Sequence, residues 1–153
     1  MTVTVTAEAA VEPTEDEKKV ERALLKLFPS GRAERITEQD RTVGLVIRGG
    51  GLEFLSGLRN LIRQERIRST ARAIFLRNAP DRVLRIYLNK QAAFMGRVSF
   101  CAPTGESPHG PISIEVETED MQAVIDYIAA IPKEASGSDV RRRLRQSPYP
   151  EEE

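Results

Sequence analysis

Residues 2–12 alternate: Val3, Val5, Ala7 and Ala9 fall on one side, with threonines and Glu8 on the other. An extended chain sends successive side chains to opposite faces, so this is a strand with one face in a core and the other in water. Three other stretches repeat with helical period and are apolar on one side only. They are Val20, Ala23, Leu24, Leu27 and Phe28; then Phe54, Leu58, Leu61, Ile62 and Ile67; then Met121, Val124, Ile125, Ile128 and Ala129. A strand with one apolar face and helices with one apolar stripe bury both by stacking. The pattern predicts a two-layer α+β domain with amphipathic helices on one face of a sheet.

Turn chemistry divides the chain. Thr14-Glu15-Asp16-Glu17 reads as a capping box opening the first helix, and Pro29-Ser30-Gly31 stops it. Residues 34–48 read as one strand region, followed by Gly49-Gly50-Gly51 and a helix from about Leu52. A break near Arg68-Ser69 leads to a second helical piece through Leu76, and residues 78–81 form a turn. Val83, Leu84, Ile86 and Leu88 then mark a half-buried strand. Asn89 is placed to cap a single helical turn over residues 90–93, and Gly96 to close it in the left-handed conformation before residues 97–100 return as a strand. That hairpin would hold Lys90 and Gln91 at an exposed tip. A Pro/Gly-rich loop over residues 103–111, a strand at residues 112–116 and a helix opening at residues 118–120 and ending at Pro132 complete the reading. Residues 1–132 are expected to form a single domain and residues 133–153 a flexible charged tail.

Several function classes find no support. No apolar run reaches the roughly 18 residues that a membrane helix requires, and residues 1–6 lack the basic segment of a secretory signal. Cys101 is the only cysteine, so no intramolecular disulfide is possible and a cytoplasmic location is expected. The glycine triplet precedes Leu52-Glu53-Phe54 rather than the Gly-Lys-Ser/Thr of a phosphate loop, and Glu53 would repel an anion. Cys101 and His109, the only histidine, are too few for a structural zinc site, and as a nucleophile pair they compete with the plainer reading of Cys101 as a small residue at a strand end. Glu115 and Glu117 read as a solvated strand face rather than an acid–base pair. The expectation is a protein without cofactor, metal or catalytic residues.

Charge is where the chain departs from the ordinary. Residues 1–40 hold 6 basic and 9 acidic side chains, residues 41–100 hold 12 and 3, and residues 101–153 hold 5 and 11. A basic block between acidic flanks points to a polyanionic partner. Arg59, Arg63, Arg66, Arg68, Arg72 and Arg77 have only Glu65 among them, and Arg82, Arg85, Lys90 and Arg97 extend the block. Guanidinium groups bind phosphates bidentately, so Arg59, Arg63, Arg66, Arg68, Arg72, Lys90, Gln91 and Arg97 are the candidate RNA contacts. With no tryptophan and few aromatic residues, a stacking platform for single strands is disfavoured and a structured RNA fits better. Arg141-Arg142-Arg143 and Arg145 could add a loose contact, partly cancelled by residues 151–153. The alternatives are a protein-interaction module, for example a homodimer pairing the basic block with an acidic flank, and an accessory subunit of a nucleotide-metabolism enzyme.

Some residues carry a resemblance. Residues 13–17 leading into Ala23-Leu24-Leu25, Gln64-Glu65-Arg66-Ile67 before Thr70-Ala71-Arg72, residues 88–94, Ser107-Pro108 and Gly110-Pro111-Ile112 together resemble archaeal uncharacterised protein family 0201, described as RNA-binding-like. The resemblance runs from about Val3 to Ile131. It implies an α+β fold on a mixed, mainly antiparallel sheet, similar to the large-subunit ribosomal protein that contacts 5S ribosomal RNA. It also implies RNA contact, as a binding or RNP-accessory protein rather than an enzyme. Some relatives carry a nucleotide-kinase-like domain that has no counterpart in this sequence.

Overall fold

The computed structural model describes residues 1–103 and 110–130. Five strands, β1 (Val3–Ala10), β2 (Glu34–Glu38), β3 (Arg41–Gly50), β4 (Val83–Asn89) and β5 (Pro111–Thr118), form one sheet in the order β2-β3-β1-β5-β4. Each neighbouring pair is antiparallel, which refines the mixed sheet implied by the resemblance. The alternation read at residues 2–12 places β1 at the centre. Val3, Val5, Ala7 and Ala9 are buried, and Ala7 lies opposite Ile47 on one side and Ile114 on the other.

Five helices cover this apolar face: α1 (Glu17–Leu27), α2 (Ser56–Gln64), α3 (Arg68–Arg77), α4 (Lys90–Phe94) and α5 (Met121–Ile128). Their buried stripes, including Val20, Leu24 and Leu27 of α1, Leu58 and Ile62 of α2, Phe75 of α3 and Val124, Ile125 and Ile128 of α5, merge with the sheet residues into one apolar core. The opposite face of the sheet is bare and polar. Thr4, Glu8, Arg48, Arg85, Glu115 and Glu117 stand exposed on it, with Arg48 facing Glu34 at 3.9 Å and Arg85 facing Glu115 at 3.7 Å. The two-layer α+β architecture is the one that the periodicities predict.

Local details correct the reading in four places. Asp16, not Thr14, caps α1, its carboxylate accepting from the Lys18 N–H at 3.0 Å. The strand region 34–48 is a hairpin of β2 and β3, turned by Gln39 and Asp40 in the left-handed conformation. The break between α2 and α3 comes at residues 65–67, where Arg66 has φ 61°, earlier than Arg68-Ser69. The segment after α4 returns along β4 through a single Leu88–Phe100 bridge, with the Asn89 N–H donating to Ser99 O and the Cys101 N–H to Tyr87 O. Those bonds cover part of the free edge of β4. Within the turn, Asn89 does cap α4, accepting from the Ala92 N–H at 2.9 Å, and Gly96 does take the left-handed conformation, at φ 73°. His109, Ser107-Pro108, Pro132 and the tail from residue 133 onward lie outside the described residues.

One glycine sets how closely the helices approach. A Cβ at Gly57 would overlap the Leu27 carbonyl oxygen and the Pro29 ring, so α2 crosses the end of α1 at near backbone contact. Gly57→Ala is expected to push the two helices apart and destabilise the fold by about 1–3 kcal/mol. Urea unfolding at constant m-value is the check; an unchanged midpoint would mean that the crossing relaxes freely.

Candidate nucleic-acid interface

The helical layer gathers positive charge on the side away from the sheet. In α1 the apolar stripe turns Lys18, Arg22 and Lys26, at i, i+4 and i+8, to the opposite side, where all three are exposed. In α2, Leu58 and Ile62 point to the core while Asn60, Arg63 and Gln64 are exposed. Arg66 follows, exposed, in the left-handed link to α3. Arg97, 67% exposed beyond α4, lies 3.3 Å from Oε1 of Glu65. The Lys19 ammonium sits 5.1 Å from the Phe94 ring centroid, which joins the α1 stripe to α4. Arg63, Arg66, Gln91 and Arg97 are thus exposed.

Other predicted contacts face inward. The Arg72 guanidinium meets Asp126 Oδ1 at 2.7 Å and donates to Ala129 O at 3.2 Å, tying α3 to α5. The Arg59 guanidinium lies 4.5 Å from the Tyr127 ring centroid, tying α2 to α5. Arg68 is half-buried at the start of α3. Arg59 and Arg72 thus tie α2 and α3 to α5.

Lys90 requires a correction. It is not at an exposed tip: its side chain is 0% exposed, and its ammonium donates to Ala10 O at 2.8 Å and to Glu15 Oε1 at 3.1 Å. Glu15 also accepts from the Glu12 N–H at 3.0 Å. A buried ammonium needs such partners because leaving water without them costs several kcal/mol, roughly. Lys90 therefore fastens α4 to the connection between β1 and α1.

The sequence pattern alone did not single out Lys18, Arg22 and Lys26. They lie in a flank that is acidic as a sum, three of whose nine acids, Glu8, Glu34 and Glu38, belong to strands. The i, i+4, i+8 spacing opposite an apolar stripe was the available signal. The strands are nearly balanced: Glu8, Glu34, Glu38, Glu115 and Glu117 against Arg35, Arg41, Arg48 and Arg85. Among the described residues, no group of histidine, cysteine or acidic side chains is placed to hold a metal ion. No helix of the described residues is long and apolar enough to cross a membrane.

The arrangement defines a class: an open-faced α+β protein whose two faces differ in charge, basic on the helices and mixed on the sheet. A family model described as RNA binding matches residues 4–119. The chain is 37% identical over 148 residues to a UPF0201 protein of Sulfurisphaera tokodaii, covering 95% of this chain and 96% of that one. It is 39% identical over 131 residues to a UPF0201 protein of Aeropyrum pernix, covering 83% and 85%. The crystal structure of the UPF0201 protein from Methanococcus jannaschii superposes with a TM-score of 0.68 at 30% identity, over 87% of this chain and 96% of that one. The chain belongs to the UPF0201 family, whose relatives here are archaeal.

Proposed function

We propose that this protein binds structured RNA through the outer surface of its helical layer, without catalysis, as an RNA-binding or RNP-accessory protein. The observation that carries the reading is the separation of charge between the two faces. Lys18, Arg22, Lys26 and Arg63 are exposed on the helical side, whereas Arg48 and Arg85 of the bare sheet face stand beside carboxylates. A surface that is basic through flexible side chains, with no exposed aromatic row among the described residues, suits the phosphates of a folded RNA, read by shape rather than by base stacking. The RNA-binding description of the matched family model supports the same reading.

A homodimer pairing basic with acidic surface is the weaker reading. The two surfaces lie on opposite sides of the molecule, so joining them is a head-to-tail contact. Head-to-tail contacts of opposite faces build closed rings or open chains rather than a two-fold dimer.

The test is a salt titration of binding to total RNA from an archaeal host. Affinity is expected to fall linearly on a double-logarithmic plot with a slope of about −3 to −5, as for four or five phosphate contacts. A slope near zero, or no binding at about 50 mM salt where such contacts are strongest, would refute the reading.

A further inference from the structure

A second feature lies at the free edge of β4, away from the outer surface of α1 and α2. A cavity of 570 Å³ opens there between the end of α3, the edge of β4 and the segment that returns after α4. Pockets for small ligands range over about 300–1,000 Å³, so the space suits a molecule of nucleotide size.

Its chemistry is divided. Arg77 and Arg85 bring two guanidinium groups, Phe100 and Tyr87 two aromatic rings, Ile74 an apolar wall and Asn78 an amide with both donor and acceptor. No carboxylate lines it among the described residues. Arg77 is exposed, and the ion-pair partner of Arg85 among the described residues is the half-exposed Glu115, 3.7 Å away; such a pair yields readily to a stronger anion.

The walls are held in place by the fold. The Arg85 N–H donates to Asn78 O at 3.1 Å, and the Cys101 N–H donates to Tyr87 O at 3.0 Å, pinning both sides of the opening to β4. Phe100 packs edge-on against the core residue Phe75, with centroids 5.7 Å apart. A site already formed loses little conformational freedom when it is filled.

We propose that this cavity binds a nucleotide unit, its base against Phe100 and Tyr87 and its phosphate on Arg77 and Arg85. The unit is either a free nucleoside monophosphate or an unpaired nucleotide of an RNA. Two guanidinium groups and two aromatic rings lining one opening match a ligand with a flat π-face at one end and a dianion at the other. The proposal stands apart from the helical-surface reading, because none of its residues lies on the α1–α2 surface.

Adenosine monophosphate, adenosine, inorganic phosphate and a short single-stranded oligoadenylate serve as probes, each titrated into the isotopically labelled protein and followed by amide NMR. The monophosphate, the oligoadenylate or both are expected to shift the amides of Arg77, Asn78, Tyr87 and Phe100. Adenosine and phosphate alone should act at least tenfold more weakly, and Arg77→Ala should weaken the response at least tenfold while leaving the remaining spectrum in place. A response to the monophosphate assigns the site to a free nucleotide. A response to the oligoadenylate alone assigns it to RNA. If neither nucleotide probe shifts these amides, or if phosphate alone matches the monophosphate, the proposal is overturned. The variant Arg22→Glu with Arg63→Glu separates the two surfaces: it should leave the cavity shifts unchanged even if binding to structured RNA is lost.

Discussion

Reversing two charges on the helical surface, Arg22→Glu together with Arg63→Glu, is expected to weaken binding to structured RNA at least a hundredfold. Each side chain is exposed, and neither has an ion-pair partner among the described residues. Hydrogen bonds to charged groups are worth about 1.5–3 kcal/mol each, and a factor of ten in affinity is about 1.4 kcal/mol. Removing two such bonds, before any repulsion by the new carboxylates, therefore reaches that figure. The salt dependence should flatten as well, by about 0.7–0.9 in slope for each phosphate that is no longer neutralised. Arg48→Glu, on the bare face beside Glu34, is the control and should leave both affinity and slope as they are. Fluorescence anisotropy with a labelled hairpin RNA at several salt concentrations measures all three proteins. A double variant that binds like the parent, or a control that weakens as much as the double variant, would exclude the helical surface as the RNA site.

What could be read from the sequence divides by the range of the interactions involved. The alternation in β1 and the one-sided stripes of α1, α2 and α5 are local patterns, and they fixed the layers. Asn89 and Gly96 were legible for the same reason, since a cap and a left-handed closure are decided within a few residues. The hairpin between β2 and β3 was not, because its turn uses Gln39 and Asp40 at φ 51° and 63° where glycine is the usual signal. The break at Arg66 was misplaced by the same substitution of a non-glycine residue in the left-handed region. The site suffered differently. Summing charge over blocks of sequence hid the Lys18, Arg22 and Lys26 stripe of α1, because Glu8, Glu34 and Glu38 of the strands enter the same sum. Arg59 and Arg72 look like phosphate ligands until α5, more than fifty residues downstream, supplies Tyr127 and Asp126. A partner that distant leaves no trace in local pattern.

Lys90 is the extreme case, and it makes the sharpest stability prediction. Its partner Glu15 lies 75 residues away, both side chains are almost wholly buried, and Glu15 Oε2 has no hydrogen-bond partner among the described residues. The carboxylate therefore depends on the Lys90 ammonium. Lys90→Met keeps the bulk of the side chain but leaves a charge uncompensated inside the protein, a change that costs about 3–5 kcal/mol. At about 2–4 °C for each kcal/mol in a protein of this size, the midpoint of thermal unfolding should fall by roughly 6–20 °C. Pairing the change with Glu15→Gln removes the stranded charge while retaining an acceptor for the Glu12 N–H, so most of the loss should be recovered, as for buried pairs replaced together. Calorimetry of the two single variants and the double variant completes the cycle. RNA binding measured well below the transitions adds the discriminating readout. A lysine whose role is to fasten α4 to the β1–α1 connection should lower stability and leave affinity and salt slope intact, whereas a phosphate ligand would do the reverse. Loss of affinity without loss of stability would mean that Lys90 leaves Glu15 for the RNA, and the buried pair would then be a closed form of the binding surface rather than a fixed support.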